Sequence, residues 1–293
     1  MTQDKLIGTG VALVTPFHED KSIDFDSLQK IIDHCIDGGV NYLVTLGTTG
    51  ESVVLTKEEK QTVIHKTVAI VNGRVPLVAG FGGNNTQAVI DDINSYDLTG
   101  VDFILSASPN YNKPTQEGIY QHYKAISENS PLPIILYNVP GRTAKNMEAA
   151  TTLRLAKDFD NIVAMKEASG NLEQCMEIAR KKPADFVLLS GEDLLTMPMI
   201  SFGCQGVISV VAQAAPQTFT TMINDALSGD FAKAKENHFK LMDLTNMLFA
   251  ENNPAGVKAA LCSIDKCKNE LRLPIVPVTD SLFQLIENKM KKI

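Results

Sequence analysis

A lysine closes an otherwise apolar run in I-V-A-M-K-E-A-S-G-N, where Lys166 directly follows Ile162, Val163, Ala164 and Met165. Other short runs end in groups suited to one chemistry. G-T-T-G-E-S offers Thr48 and Thr49 between glycines, S-P-N-Y-N-K-P-T offers Tyr111, and Y-N-V-P-G-R-T offers Tyr137 and Arg142. Together these residue types fit Schiff-base catalysis on a keto acid. A neutral amine attacks the carbonyl, and the protonated imine then serves as an electron sink that acidifies the adjacent carbon. Water favours the charged lysine, so the amine must sit where burial favours the neutral form. Tyrosine hydroxyls can carry protons, and a guanidinium forks onto a carboxylate. Thr48, Thr49 and the glycine N–H groups can hold the keto acid's own carboxylate. The competing reading is a lysine that merely leaves its strand for solvent, as most lysines do.

The elements that would position these groups follow from the periodicity. Short β-branched runs alternate with amphipathic helical stretches. The strands are read from Val11, Tyr42, Val75, Asp102, Pro133, Ile162, Phe186 and Gly206. Between them, Phe25, Leu28, Ile32 and Cys35 share one helical face, as do Leu172, Cys175, Met176 and Ala179. Thr56 followed by Glu59 forms a capping-box signature. Parallel neighbours need crossover helices, so eight strand–helix units imply a (β/α)8 barrel. An open doubly wound sheet is the alternative, but V-A-L-V-T-P-F replaces its glycine fingerprint after the first strand. Residues 1–225 are read as the barrel and 226–293 as a helical C-terminal extension. Catalytic groups of such barrels sit at the C-terminal strand ends, which is where Lys166 falls. Strand alternation puts Ile162, Ala164 and Lys166 on one face. Which face is inward stays open.

Composition excludes several classes of function. With 34 acidic against 27 basic residues and no basic run, the chain is not read as a nucleic-acid binder. The first residues lack a signal-peptide pattern, and no stretch is long and apolar enough to span a bilayer, so the expectation is a cytoplasmic protein. Five scattered cysteines suggest reduced thiols rather than a disulfide framework. The five histidines, His18, His34, His65, His122 and His238, are dispersed. They are read as surface or cap residues, which argues against a metal-dependent aldolase. The segments S-G-E-D and S-V-V-A-Q after the last two strands are acidic or glycine-poor, unlike a phosphate cup, so an unphosphorylated substrate is favoured.

The ordered set G-V-A-L-V-T-P-F, G-T-T-G-E-S, P-N-Y-N-K-P-T-Q-E-G, L-Y-N-V-P-G-R-T, M-K-E-A-S-G-N, L-L-S-G-E-D, G-V-I-S-V, N-P-A-G-V-K and L-R-L-P spans nearly the whole chain. It resembles the dihydrodipicolinate synthase family of pyruvate-dependent class I aldolases. That resemblance implies Lys166 as the Schiff-base lysine and Tyr137 as the proton donor and acceptor beside it. It implies that Thr48 links Tyr137 to Tyr111, and that Tyr111 reaches a neighbouring subunit's site. Thr49 would bind the pyruvate carboxylate, Arg142 would receive the aldehyde substrate, and main chain at Gly191 and Ile208 would line the pocket. The implied reaction condenses pyruvate with L-aspartate 4-semialdehyde on the route to diaminopimelate and lysine. No cofactor or metal is implied beyond the covalent lysine–pyruvate imine. A homodimer is implied, with a dimer of dimers as the tetramer.

Two alternatives compete with this reading, and the first would keep Lys166, Tyr137 and the G-T-T-G-E motif. An N-acetylneuraminate lyase or keto-deoxy sugar acid aldolase of the same superfamily would generally lack Arg142. A non-catalytic pyruvate-binding barrel could dispense with Tyr111 and Tyr137. Lysine-inhibited family members carry an aromatic residue before the shared tyrosine and His and Glu groups near the dimer interface. Here those positions are Asn110, Lys57, Lys60 and Ala88, so weak or absent inhibition by L-lysine is expected.

Overall fold

The computed structural model describes residues 2–293 and shows eight parallel strands closed into a barrel in the order β1 to β8. They are β1 Gly8–Ala12, β2 Tyr42–Thr45, β3 Leu77–Gly82, β4 Phe103–Ala107, β5 Ile134–Asn138, β6 Ile162–Glu167, β7 Val187–Ser190 and β8 Gly206–Ser209. Helices follow each strand, and Pro216–Leu227 is the last before three further helices, Phe231–Phe249, Ala255–Ser263 and Asp280–Met290. Phe231–Phe249 packs on Pro216–Leu227, which joins the extension to the barrel wall. No helix among the described residues is long and apolar enough to cross a membrane.

Two apolar layers hold the barrel. The larger fills the space between strands and helices, and includes Leu28, Ile31, Ile32 and Cys35 of the first long helix, Phe25–Asp37. The smaller plugs the barrel axis with Tyr42, Val44, Phe103, Leu105, Ile135, Ala164 and Leu189. Tyr42 is fully buried and donates its hydroxyl to the Val207 carbonyl at 2.9 Å, satisfying its one polar group inside the plug. The expected capping box is present: the Thr56 side chain accepts from Glu59 N, and the Glu59 side chain accepts from Thr56 N.

Local periodicity misplaced three features. β1 begins at Gly8, three residues before the run read from Val11. Gly10 lacks a side chain because the Tyr42 ring occupies the space where a Cβ would sit, so packing makes a strand of what composition marks as a loop. In β6 the register shifts between Ile134 and Ile135, which pair with Ile162 and Ala164 and leave Val163 as an extra residue. This bulge turns Ile162 outward, into the layer that also holds Met165, while Ala164 joins the axial layer. The shared face of Ile162 with Ala164 and Lys166 is therefore corrected: only the last two keep alternation. Met176, assigned to an apolar helix face, is largely exposed, and Ile178 takes the buried place in Leu172–Lys181.

His122 and His238 are buried instead of lying at the surface. His122 Nδ1 lies 2.8 Å from Thr86 Oγ1, and burial pushes its pKa down to about 4, so it packs as a neutral ring. All five cysteines are free thiols.

Candidate active site

Cross-strand register decides the geometry around Lys166. Tyr137 of β5 pairs with Lys166 of β6, and Lys166 with Leu189 of β7. Partners at one register level of a parallel sheet face the same side, and Tyr137 and Leu189 belong to the axial layer. Lys166 therefore points inward. It is 6% exposed, with Nζ 4.3 Å from the centroid of the Tyr137 ring. Among the described residues no carboxylate lies within ion-pairing distance of it.

The residue after Lys166 is fixed from the other side. Glu167 accepts from Asn138 Nδ2 (3.1 and 3.0 Å), Ser169 N (2.7 Å) and Gln174 Nε2 (2.9 Å). Burial raises the Glu167 carboxyl above its ordinary range, and these donors oppose that shift. Asn138 Oδ1 in turn accepts from Met147 N at 2.9 Å. The motif residues flanking Tyr137 and Lys166 thus lock the ends of β5 and β6 together.

Gly191 closes the other flank. Its N–H donates to the Glu167 carbonyl at 2.8 Å, and a Cβ there would stand 2.5 Å from Ala168 Cβ and 3.0 Å from Lys166 Cε. A Gly191→Ala variant should stay folded yet lose about 10- to 100-fold in kcat/KM, because Ala168 must give way and the neighbouring lysine stem is crowded with it. Unchanged kinetics with an intact circular-dichroism spectrum would show that the close approach has no catalytic consequence.

A cavity of about 300 Å³ opens at the C-terminal ends of β2 to β5, with Thr48, Leu105, Ser108, Tyr137, Val139 and Arg142 in its wall. The Tyr137 ring borders both this cavity and the lysine. Thr48 and Thr49 sit in a single 3-10 turn, Thr48–Gly50, after β2. Thr48 is exposed to the cavity, whereas Thr49 is buried and its Oγ1 accepts from Asn253 Nδ2 at 3.0 Å. Arg142 lies on the short helix Pro140–Thr143 at the rim, with its guanidinium unpaired among the described residues. Ile208 is buried in the axial layer on β8.

Of the sequence-predicted residues Thr48, Tyr137 and Arg142 line this wall, whereas Lys166, Thr49, Gly191 and Ile208 lie outside it, as does Tyr111. Tyr111 is 86% exposed and has φ +62°, on the loop whose neighbour Asn110 does line the cavity. Within one chain no hydrogen bond among the described residues joins Thr48, Tyr111 and Tyr137.

With this geometry in view, the sequence profile of the dihydrodipicolinate synthetase family matches residues 5–293. The chain belongs to that family. It is 51% identical to a 4-hydroxy-tetrahydrodipicolinate synthase of Phocaeicola vulgatus, over 97% of this chain and 96% of that one. A crystal structure of the chloride-inhibited dihydrodipicolinate synthase of Acinetobacter baumannii, complexed with pyruvate, superposes with a TM-score of 0.94 at 38% identity. The match covers 97% of this chain and 98% of that one. A monomeric dihydrodipicolinate synthase variant superposes with a TM-score of 0.96 at 39% identity, covering 99% of this chain and 97% of that one.

Two acidic residues of this dihydrodipicolinate synthetase family member escaped the sequence reading, which took S-G-E-D only as unsuited to phosphate. Asp193 is buried and accepts from Ser209 Oγ (2.5 Å), Val210 N (3.2 Å) and Val211 N (3.4 Å), which ties the turn after β7 to the end of β8. Burial raises its carboxyl, and these donors, with Lys166 further off, oppose the rise. Glu192 is raised by burial and then by Asp193, with Lys166 and Arg142 pulling the other way. The one available signal was two adjacent carboxylates at a strand end.

Proposed function

We propose that this chain is a 4-hydroxy-tetrahydrodipicolinate synthase that joins pyruvate to L-aspartate 4-semialdehyde through an imine on Lys166. The observation that carries this reading is the inward-facing, buried Lys166 packed on the Tyr137 ring with no carboxylate partner among the described residues. The neutral amine attacks the ketone carbon, and water leaves to give the protonated imine. Loss of a methyl proton gives an enamine, whose carbon attacks the aldehyde. The amine of the second substrate then displaces Lys166 and closes the ring, so the net reaction releases one water. In this reading Tyr137 moves the protons, Thr49 receives the pyruvate carboxylate, and Arg142, unpaired among the described residues, forks onto the carboxylate of the aldehyde substrate. Gly191 and Ile208 bound the space beside the imine. Arg142 favours this reading over cleavage of a sialic or deoxy sugar acid. The chemistry needs only the covalent imine.

Completion of the site by a second copy rests on Tyr111 and Val53, both large, apolar in part and strongly exposed (86% and 91%) beside the cavity. A partner covering this rim would bury both and bring a tyrosine toward Thr48. We read the functional unit as a homodimer, with pairing of dimers into a tetramer as its extension. The five free thiols favour the cytoplasm as its compartment.

Borohydride reduction in the presence of pyruvate, followed by peptide mass spectrometry, tests the chemistry. A pyruvate-derived adduct on Lys166 is the expected result; its absence, or its presence on another lysine, rejects the assignment. Regulation is testable in the same preparation. Lys57 and Ala88 are exposed in the first turns of the helices Lys57–Val71 and Thr86–Ser95, Lys57 Nζ lies 5.6 Å from the Tyr96 ring centroid, and Asn110 stands before Tyr111. Added cations and a missing carboxylate disfavour a diammonium ligand, so L-lysine should inhibit weakly or not at all. Strong inhibition at sub-millimolar lysine would refute this.

A further inference from the structure

Five residues from motifs that the mechanism leaves unused converge behind the turn that carries Thr48 and Thr49. They are Phe17, Glu51, Asn253, Lys258 and Arg272. Lys258, fully buried, donates to Glu51 Oε1 and to the Glu270 carbonyl at 2.8 Å. Arg272 N donates to Glu51 Oε2 at 3.1 Å, and the Arg272 guanidinium forks onto Glu59 at 2.6 and 2.7 Å. Lys258 Nζ and Arg272 Cζ lie 4.2 and 4.6 Å from the centroid of the Phe17 ring. Three consecutive turn residues are therefore held from outside the turn. Thr49 is held by Asn253, Gly50 by Thr15 Oγ1 through its carbonyl at 2.7 Å, and Glu51 by Lys258 and Arg272. Glu51 adopts φ +53°, a conformation costly for a non-glycine residue, which this anchoring maintains.

Thr48 lines the cavity and Thr49 is the buried residue next to it, so the cluster fixes the turn and, through Asn253, the Thr49 hydroxyl. A hydroxyl has one proton to give and two lone pairs to fill. When Asn253 donates into Thr49 Oγ1, the proton is left for an acceptor, and a carboxylate only accepts. We propose that Asn253, held with Lys258 in the C-terminal extension, is a positioning residue that turns the Thr49 hydroxyl into a donor for the substrate carboxylate. This rests on the pyruvate-aldolase reading above and extends it to a part of the chain remote from the strand ends.

The test uses the full-length enzyme with Asn253→Ala and the near-isosteric Asn253→Asp. The new carboxylate in Asn253→Asp can only accept, so it captures the Thr49 proton and repels pyruvate. Asn253→Ala should raise KM for pyruvate about tenfold, and Asn253→Asp should raise it further. In both, kcat and KM for the aldehyde substrate should stay within about threefold of the parent. The penalty of Asn253→Asp relative to the parent should shrink as pH is lowered, because protonation restores a donor, while that of Asn253→Ala should not change. A pyruvate KM unaltered in both variants, or equal loss in kcat and both KM values with no pH difference between them, overturns the proposal. Borohydride trapping of the parent runs alongside. A parent without the Lys166 adduct removes the aldolase reading and this inference with it; an adduct together with unaltered variants removes this inference alone.

Discussion

Replacing Lys166 by alanine should lower the condensation rate on the order of 10⁴-fold or more and abolish the borohydride adduct, because no other side chain can form the imine. The fold should survive. Lys166 is buried with no ion-pair partner among the described residues, so its removal strands no opposite charge and costs mainly the packing of its stem. A melting midpoint within a few degrees of the parent, with turnover at the assay floor, is the expected pair of results. Retained carbon–carbon bond formation in this variant would end the imine mechanism. A Tyr137→Phe variant should be milder, about 10²- to 10⁴-fold down, since it removes a proton carrier while keeping the ring against the lysine.

Lys258→Met should be the most damaging single change to stability. The Lys258 and Glu51 side chains are 0% and 1% exposed, and the pair is closed on all sides by Phe17, Arg272 and the Glu270 carbonyl. Burial pushes the Lys258 ammonium down from the ordinary lysine range, and Glu51 is the chief group opposing it. Taking one partner away strands the other as an uncompensated buried charge, which costs about 3–5 kcal/mol. For a chain of this size that corresponds to a melting midpoint lower by roughly 10 °C. Adding Glu51→Gln to Lys258→Met should recover much of the loss, since no lone charge is then left inside. If Lys258→Met melts with the parent, the pair is not the support described above. If the double variant is worse than the single by the full sum, the charges are not coupled.

The two predictions separate roles that look alike on the sequence, where each lysine ends an apolar or small-residue stretch, I-V-A-M-K and N-P-A-G-V-K. One has no carboxylate partner among the described residues and faces an aromatic ring beside a cavity. The other is saturated by an acid, a carbonyl and a ring. Chemistry follows from the missing partner, because only an amine that is not committed to an ion pair can be offered neutral to a ketone.

Eight strand–helix units, their parallel arrangement, and the place of Lys166 at the end of the sixth strand were legible in the sequence alone. Each is a matter of short-range period: β-branched runs, helical spacing and capping signals report the local backbone whatever lies elsewhere. The resemblance of the ordered motifs supplied the candidate residues of the site. The three-dimensional structure alone decided the rest. The β6 bulge at Val163 determined which side chains face the axis, and Tyr42 filling the space above Gly10 made a strand of a glycine-rich segment. Barrel closure set Lys166 against Tyr137, and the return of the C-terminal extension set Lys258 against Glu51, 207 residues away in the chain. Such contacts lie between residues far apart in sequence, so no local period encodes them. They arise only when the ring of strands closes and its packing chooses a single register.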